Sequence, residues 1–271
     1  MANRSWSSEA LVLSLKTFGE GHRNALLLLP DTEHSCKLID AALFGGPKSK
    51  LRSMVIPYHT GEVWIYSNPI KNSNKISDFK VSDYRIGLSD NLTRIWCAAF
   101  AAELAVKLKG NIDWQIINSF LTGITVSSEG ECRTALLRFL WRVISLSGLA
   151  PDMEHCCRCG IRISSKMAET NCLNKGITES SYAHSEKNFF FVPHEDSCVC
   201  SSCLDKHESA FPLSRESLLY LFAVQNLIPK ISRELNLSDQ GYAELKDFLF
   251  YLIRAAAGSN FKTLESCDFL L

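Results

Sequence analysis

The segment CCRCG at residues 156–160 and the segment CSSC at residues 200–203 decide how this chain is organised. Each segment contains two cysteines separated by two residues, a spacing that lets both sulfurs face one ion. Two such pairs are the main sequence signature of a four-thiolate zinc site, and four protein ligands leave no coordination position for a substrate. The pattern therefore predicts one structural zinc ion per chain. Its first candidate ligands are Cys156, Cys159, Cys200 and Cys203.

Other residues compete for the same role. Cys157 and Cys198 lie beside the two pairs, although each would form a pair with only one intervening residue, which is a poor geometry for holding one ion. Three histidines in this region could also replace a thiolate: His155, His194 and His207. From the residues alone the ligand set stays open, and a group of free thiols without a metal is the simplest alternative.

The number and distribution of the cysteines also indicate the cellular compartment of the protein. The chain has 11 cysteines, and most of them fall between Cys156 and Cys203, whereas a secreted disulfide scaffold would be smaller and would spread its cysteines. No apolar stretch approaches the roughly 18 residues needed to span a membrane. The apolar run at residues 10–15 is too short for a signal peptide and is followed by Lys16. The sequence therefore predicts a cytosolic protein without membrane contact.

The N-terminal third of the chain has the pattern of short strands. Apolar stretches alternate with turn signals every 8–12 residues, which is typical of a small β-barrel. We therefore predict an N-terminal barrel over residues 1–85. The predicted strands are residues 9–18, 24–29, 36–44, 50–58 and 62–66, with residues 75–85 as a further strand or an exit segment.

The rest of the chain has helical periodicity on both sides of the cysteine-rich segment. Apolar residues recur at helical spacing, with Ser89 or Asp90 as the predicted first cap, and the periodicity is lost over residues 152–212. The predicted helices are residues 90–109, 113–121, 131–147, 214–235 and 238–257. The fold class is therefore α+β and multidomain, a barrel followed by an all-α domain with an inserted four-cysteine zinc finger. The predicted segments are the barrel 1–85, the helical domain 86–151 and 213–271, and the insert 152–212.

The net charge is zero, with 29 basic and 29 acidic side chains, and this balance argues against an extended nucleic-acid surface. The charge is unevenly spread, because residues 1–80 contain 10 basic and 7 acidic side chains while residues 151–210 contain 6 and 9. Small barrels bind single strands through backbone electrostatics and base stacking, although a few barrel lysines are also compatible with a merely solvated surface. The candidate DNA-binding cations are Lys16, Arg23, Lys37, Lys48, Lys50 and Arg52.

The sequence contains no motif of a known catalytic class. It has no GxxxxGK[ST] phosphate loop, no GxSxG nucleophile elbow and no HExxH metalloprotease helix. We therefore predict that the protein is not an enzyme. Two classes of function remain: a nucleic-acid-binding protein, and a zinc-stabilised protein-interaction adaptor without direct DNA binding, which the neutral net charge favours.

Three stretches together resemble the RecO family of recombination mediator proteins. They are residues 10–20, residues 42–52 with their glycines followed by basic residues, and residues 137–152, which lead into the first cysteine pair. The segments at residues 190–193 and 261–264 are also similar to that family. The resemblance spans nearly the whole chain, and its third stretch is the most specific.

The resemblance implies an OB fold, a helical domain and a zinc finger, with the ligands settled as the four cysteines named first. It implies a protein of the cytoplasm, associated with the nucleoid, that binds single- and double-stranded DNA and anneals complementary strands. With the partner RecR it would help load the recombinase onto strands coated by the single-stranded-DNA-binding protein SSB. It also implies that the helical domain binds the acidic C-terminal tail of SSB, near Arg138 and Arg142.

Overall fold

The computed structural model divides the chain into two compact units. The first unit comprises Met1–Arg133 with Ala257–Leu271, and the second comprises Thr134–Ala256. The structure describes residues 5–18, 22–44, 49–162 and 189–266. The segment boundaries predicted at residues 85, 151 and 212 stay a prediction, because a division into two units by contacts does not test where those segments begin.

The N-terminal strands form a closed barrel with the topology of an OB fold. The strands are β1 (Ser5–Phe18), β2 (His22–Thr32), β3 (Ser35–Leu43), β4 (Thr60–Asn68) and β5 (Ser73–Asp83). They are ordered β1-β2-β3-β5-β4, and β4 pairs with β1 to close the barrel. The first half of β1 pairs with β4 and the second half with β2, and a bulge between Val12 and Ser14 marks the change. The predicted OB-fold barrel is confirmed.

The barrel encloses its own hydrophobic core. Strand alternation turns every second residue inward, as with Ala25, Leu27 and Leu29 on β2, all fully buried. Each such leucine contributes roughly 1.5–3 kcal/mol relative to an exposed position. The other inward residues of the strands are Ala10, Val12, Ala41, Leu43, Val63, Ile65, Ile76 and Phe79.

The predicted strand at residues 50–58 is wrong. Residues Lys50–Met54 form the short helix α1, and Val55 follows it fully buried. Leu51, Met54 and Val55 all pack against the barrel core, and their spacing of three and four residues is helical. Burial of this face therefore overrides the alternation of basic and apolar residues that suggested a strand.

Seven further α-helices and one short 3-10 helix (Ile86–Leu88) lie in the described parts of the chain. The predicted helix at 90–109 begins two residues later than expected, at Leu92, because the Asn91 side chain, and neither Ser89 nor Asp90, accepts the backbone N–H of Thr93 at 2.8 Å. None of the helices in the described ranges is long and apolar enough to cross a membrane. The helices are α2 (Leu92–Lys107), α3 (Trp114–Ile124), α4 (Glu129–Leu146), α5 (Arg215–Asn226), α6 (Pro229–Ser232), α7 (Asp239–Ala257) and α8 (Lys262–Ser266).

A buried arginine joins the barrel to α3 within the first unit. The Arg85 side chain is only 2% exposed and forms an ion pair with Asp83 at 3.3 Å. Its guanidinium also donates to the carbonyl of Tyr58 (2.6 Å), to Thr60 Oγ1 (2.7 Å) and to Asn118 Oδ1 on α3 (2.8 Å). A buried guanidinium is tolerated only when its donors are satisfied, so these contacts fix β4 and the end of β5 relative to α3.

The second unit combines helices with a small sheet. The predicted helix at 214–235 is interrupted after Asn226, because Pro229 disfavours helical geometry at Ile228 before it. Residues of the insert form β6 (Phe189–Val192), β7 (Ser197–Cys200) and β8 (Phe211–Leu213), in the order β7-β6-β8. Phe191 on β6 packs against Phe248 on α7 with the ring centroids 5.0 Å apart, so the sheet shares a core with the helices.

Candidate metal centre and nucleic-acid interface

Four cysteine sulfurs meet in the second unit. The Sγ atoms of all four lie within 4.8 Å of one another, and those of Cys159 and Cys200 are 3.8 Å apart. Four thiolates at about 2.3 Å from a tetrahedral zinc ion lie about 3.8 Å from one another, so these sulfurs can hold a metal ion with little adjustment. The members of the cluster are Cys156, Cys159, Cys200 and Cys203.

Backbone turns place each pair of sulfurs. In the first pair the N–H of Gly160 donates to the carbonyl of Cys156 at 2.8 Å, and the positive φ of Gly160, 69°, explains why glycine stands there. In the second pair Cys200 ends β7 and its carbonyl accepts the N–H of Cys203 at 2.9 Å. Burial raises the pKa of the Cys156 thiol, but backbone N–H groups, foremost that of Cys200, lower it more, to about 6. The thiolate, which is the form that binds metal, is therefore favoured at this position.

The competing cysteines lie outside the cluster. The Cys157 thiol donates to Glu195 Oε2 at 3.0 Å, and desolvation together with this carboxylate raises its pKa to about 11. Cys198 is fully buried with its sulfur 3.9 Å from Met153 Sδ, and burial raises its pKa to about 12. Within the described residues no histidine belongs to the four-sulfur cluster.

Arg158 connects the two cysteine pairs, and sequence reasoning did not single it out. Its Nη1 donates to the carbonyl of Cys203 at 2.6 Å, and its Nη2 pairs with Glu195 at 2.9 Å and with Glu208 at 2.5 Å. His194, whose Nε2 lies 3.2 Å from Glu208, completes this group. The guanidinium supplies the positive charge that both carboxylates face, so the group acts as a clamp across the finger.

The predicted DNA-binding cations do not lie on one row of the barrel. Lys16 is opposite Asn24 and Arg23 is opposite Thr17, so these two cations occupy neighbouring rows and, by strand alternation, opposite faces of the sheet. On β3, Lys37 is six residues from the position opposite Arg23, a distance of about 20 Å along the strand.

The predicted cations Lys37, Lys50 and Arg52 differ in their contacts and exposure. The Lys37 ammonium lies 3.9 Å from Asp31 and 5.6 Å from the centroid of the Trp6 ring. Lys50 and Arg52 lie on α1, where Lys50 is exposed and Arg52 is half-buried. Lys48 is outside the described residues. Sequence reasoning missed Lys75 on β5, because its place beside Ala42 of β3 depends on a non-local strand pairing.

Two arginines of the second unit lie close together. Arg138 is 8% exposed and donates to the hydroxyl of Tyr220 at 3.0 Å, and Arg142 donates to Ser232 Oγ at 3.1 Å. Burial and the like charges of Arg138 and Arg233 lower the pKa of Arg142. In the part of the chain that the structure describes, neither Arg138 nor Arg142 forms an ion pair with a carboxylate. The positive charge here is thus unbalanced, which favours an anion.

Comparisons with known proteins agree with this architecture. A family model described as "Recombination protein O C terminal" matches residues 117–265, which is more than half of the chain. The curated "DNA repair protein RecO" of Syntrophotalea carbinolica is 30% identical over 167 residues. That alignment covers 59% of this chain and 62% of the relative, so the chain matches less than two thirds of the relative's length.

Proposed function

Because the chain belongs to the RecO family, we propose that it is a DNA repair and recombination mediator that binds single- and double-stranded DNA with its barrel. It anneals complementary strands and, with RecR, helps load the recombinase onto strands coated by SSB. No chemical step is involved, since annealing requires only charge screening and two strands held together. The observation that carries the proposal is the family match over the C-terminal half combined with a closed OB-type barrel at the N-terminus.

The barrel surface binds DNA phosphates through its cations. Exposed lysines such as Lys16 and Lys50 can reach a backbone that passes the barrel, and the neutral net charge keeps this surface small. A small surface gives modest affinity, which falls further as the salt concentration rises, so help from partner proteins matters. The proposed phosphate contacts are Lys16, Arg23, Lys37, Lys48, Lys50 and Arg52.

The four-sulfur cluster holds one structural zinc ion. The metal supplies a cross-link between the turn that contains Cys156 and the end of β7, and it has no part in chemistry. The protein's contribution is the pair of backbone turns and the Arg158 clamp, which hold the sulfurs close together.

The acidic C-terminal tail of SSB binds at the arginines of α4. Arg138 and Arg142 lie one turn apart, and the unbalanced charge that they share with Arg233 attracts a carboxylate. Charge-assisted hydrogen bonds from a guanidinium contribute about 1.5–3 kcal/mol each, enough to select a free carboxyl terminus.

Strand annealing tests the proposed function. Replacement of Lys16, Arg23 and Lys50 by alanine removes three barrel cations, and we expect annealing of complementary oligonucleotides to slow about tenfold or more, because the lost phosphate contacts carry the binding. The rate is measured with and without SSB. The matched control replaces Lys206, Lys230 and Lys246, which removes the same charge from the second unit and leaves the rate unchanged. Equal rates for both triple variants would refute the barrel assignment, and a wild-type protein that binds no DNA at low salt would favour the adaptor alternative.

A peptide-binding measurement tests whether the arginines of α4 bind the SSB tail. A synthetic peptide of the SSB tail with a free carboxyl terminus is expected to bind Arg142→Gln about tenfold more weakly than wild type, because one charge-assisted hydrogen bond is lost. The same peptide with an amidated terminus should bind both proteins weakly. Isothermal titration gives the affinities, and unchanged melting temperatures show that the fold is intact. Equal affinity of wild type and variant for the free-acid peptide would contradict the assignment.

A further inference from the structure

Three aromatic rings lie side by side on the outer surface of the barrel. The ring centroids of Phe18 and His22 are 5.8 Å apart, and those of His22 and Phe44 are 5.3 Å apart. Phe18 is 45% exposed and Phe44 is 43% exposed, so two large apolar rings face solvent, one on each side of His22. Scattered exposed apolar residues are ordinary, whereas a continuous group of exposed rings points to binding. We call this group the aromatic row.

Strand pairing explains why these residues meet. Phe18, the last residue of β1, is opposite His22, the first residue of β2. Phe44 follows Leu43 of β3, which is opposite Arg23 of β2. Because the two strands are antiparallel, the residue after Leu43 lies beside the residue before Arg23, which brings Phe44 next to His22. Alternation keeps all three rings on the outer face while Leu43 turns inward.

Beside the aromatic row, the next outward-facing row of residues across the strands has a lysine at each end. We call it the basic row. Lys16 is opposite Asn24, Asn24 is opposite Ala42, and Ala42 is opposite Lys75. The Lys75 ammonium lies 5.2 Å from the centroid of the Phe44 ring, and Lys16 is two residues before Phe18 on the same face of β1. Phe44 thus has the Lys75 ammonium beside its ring, and Phe18 shares its strand face with Lys16.

The acid closest to these rows in the strand register is already engaged. Asp40 of β3 accepts a hydrogen bond from Asn24 Nδ2 at 3.0 Å. Lys16 and Lys75 are both exposed, and within the described residues neither forms an ion pair, so both can meet an anion. A polyanion that also carries flat apolar groups matches this surface in both charge and shape.

We propose that the aromatic row stacks the unpaired bases of a single DNA strand while Lys16 and Lys75 hold its phosphates. This inference rests on the proposed function and adds a strand preference to it. In a duplex the bases are already stacked on one another and do not reach the rings, so the aromatic row strengthens binding to single strands alone. The aromatic row also orients the bases outward for pairing with a second strand.

Anisotropy titrations with a labelled oligothymidine and with a duplex of the same length test the preference. For Phe18→Ala/Phe44→Ala we expect single-strand affinity to fall about five- to 150-fold for each base that loses its ring, with duplex affinity unchanged. The dependence on salt should stay the same, because no charge is removed. Lys75→Gln should instead reduce the slope of log affinity against log salt by about 0.7.

The matched control is Tyr84→Ala. Tyr84 is also a half-exposed ring, 48% exposed, in contact with a histidine, His59, at 5.2 Å. It follows the end of β5, about 30 Å along the strand from Lys75, and its removal should change neither affinity. If the double variant has the affinities of wild type, or loses single-strand and duplex affinity equally, the aromatic row does not stack bases. The proposal that the barrel binds DNA still stands in that case. A wild-type protein that binds neither oligonucleotide overturns the proposed function itself.

Discussion

Replacement of Cys156 or Cys203 by serine is expected to abolish zinc binding and to unfold the small sheet of the second unit. The sheet has only three short strands, and β7 ends in Cys200, so the cross-link supplied by the metal is a large part of its stability. Zinc-finger peptides bind structural zinc with about 10–16 kcal/mol of apparent free energy, which is also folding free energy. Metal analysis of the purified protein should fall from about one zinc per chain to none.

The control for this experiment is Cys157→Ser. Cys157 is the neighbour of a ligand, but its thiol donates to Glu195 and lies outside the four-sulfur cluster. The zinc content of this variant should equal that of wild type. Removal of zinc from wild type by a chelator should reproduce the loss of structure seen with the ligand variants. A second unit that keeps its circular dichroism and melting temperature without metal would contradict the structural role.

Replacement of Arg85 by alanine is expected to destabilise the first unit by about 3–5 kcal/mol, as in other cases where one partner of a buried charged network is removed. The change leaves Asp83, Thr60 and Asn118 without the guanidinium they face. Arg85→Lys should recover only part of the loss, because an ammonium group cannot reproduce the planar array of donors.

Urea denaturation followed by circular dichroism measures this loss. The control, Arg254→Ala, removes an exposed arginine of α7 and should change the free energy of unfolding by about 0.5 kcal/mol or less. If Arg85→Ala unfolds at the same urea concentration as the control, the arginine does not hold the barrel to α3.

The sequence predicted the barrel and most helices because their signals are local. Alternation and turn residues give the strands, and caps such as Asp113 and Ser214 begin the helices. The error at residues 50–58 has a physical reason, since a helix of five residues shows its period only through burial of Leu51 and Met54. The sheet at residues 189–213 was not predicted, because such short strands depend on their tertiary surroundings.

Sequence also predicts only the local features of the candidate site. The spacing of the cysteine pairs is local, and the four sulfurs do meet. The clamp of Arg158 with Glu195 and Glu208 joins residues up to 50 positions apart, so no local pattern reveals it. Lys75 comes next to the aromatic row only through the pairing of β3 with β5, which is a property of the closed barrel.

The salt dependence of single-strand binding measures how many phosphates the barrel contacts. Affinity of the zinc-loaded wild type for an oligothymidine is measured across a range of salt concentrations. Log affinity is expected to fall linearly with log salt, by about 0.7 for each phosphate contacted, and the slope for the Lys16, Arg23 and Lys50 triple variant should be shallower by up to about 2. An unchanged slope in that variant, or no binding by the wild type at low salt, would contradict the claim that the barrel binds DNA.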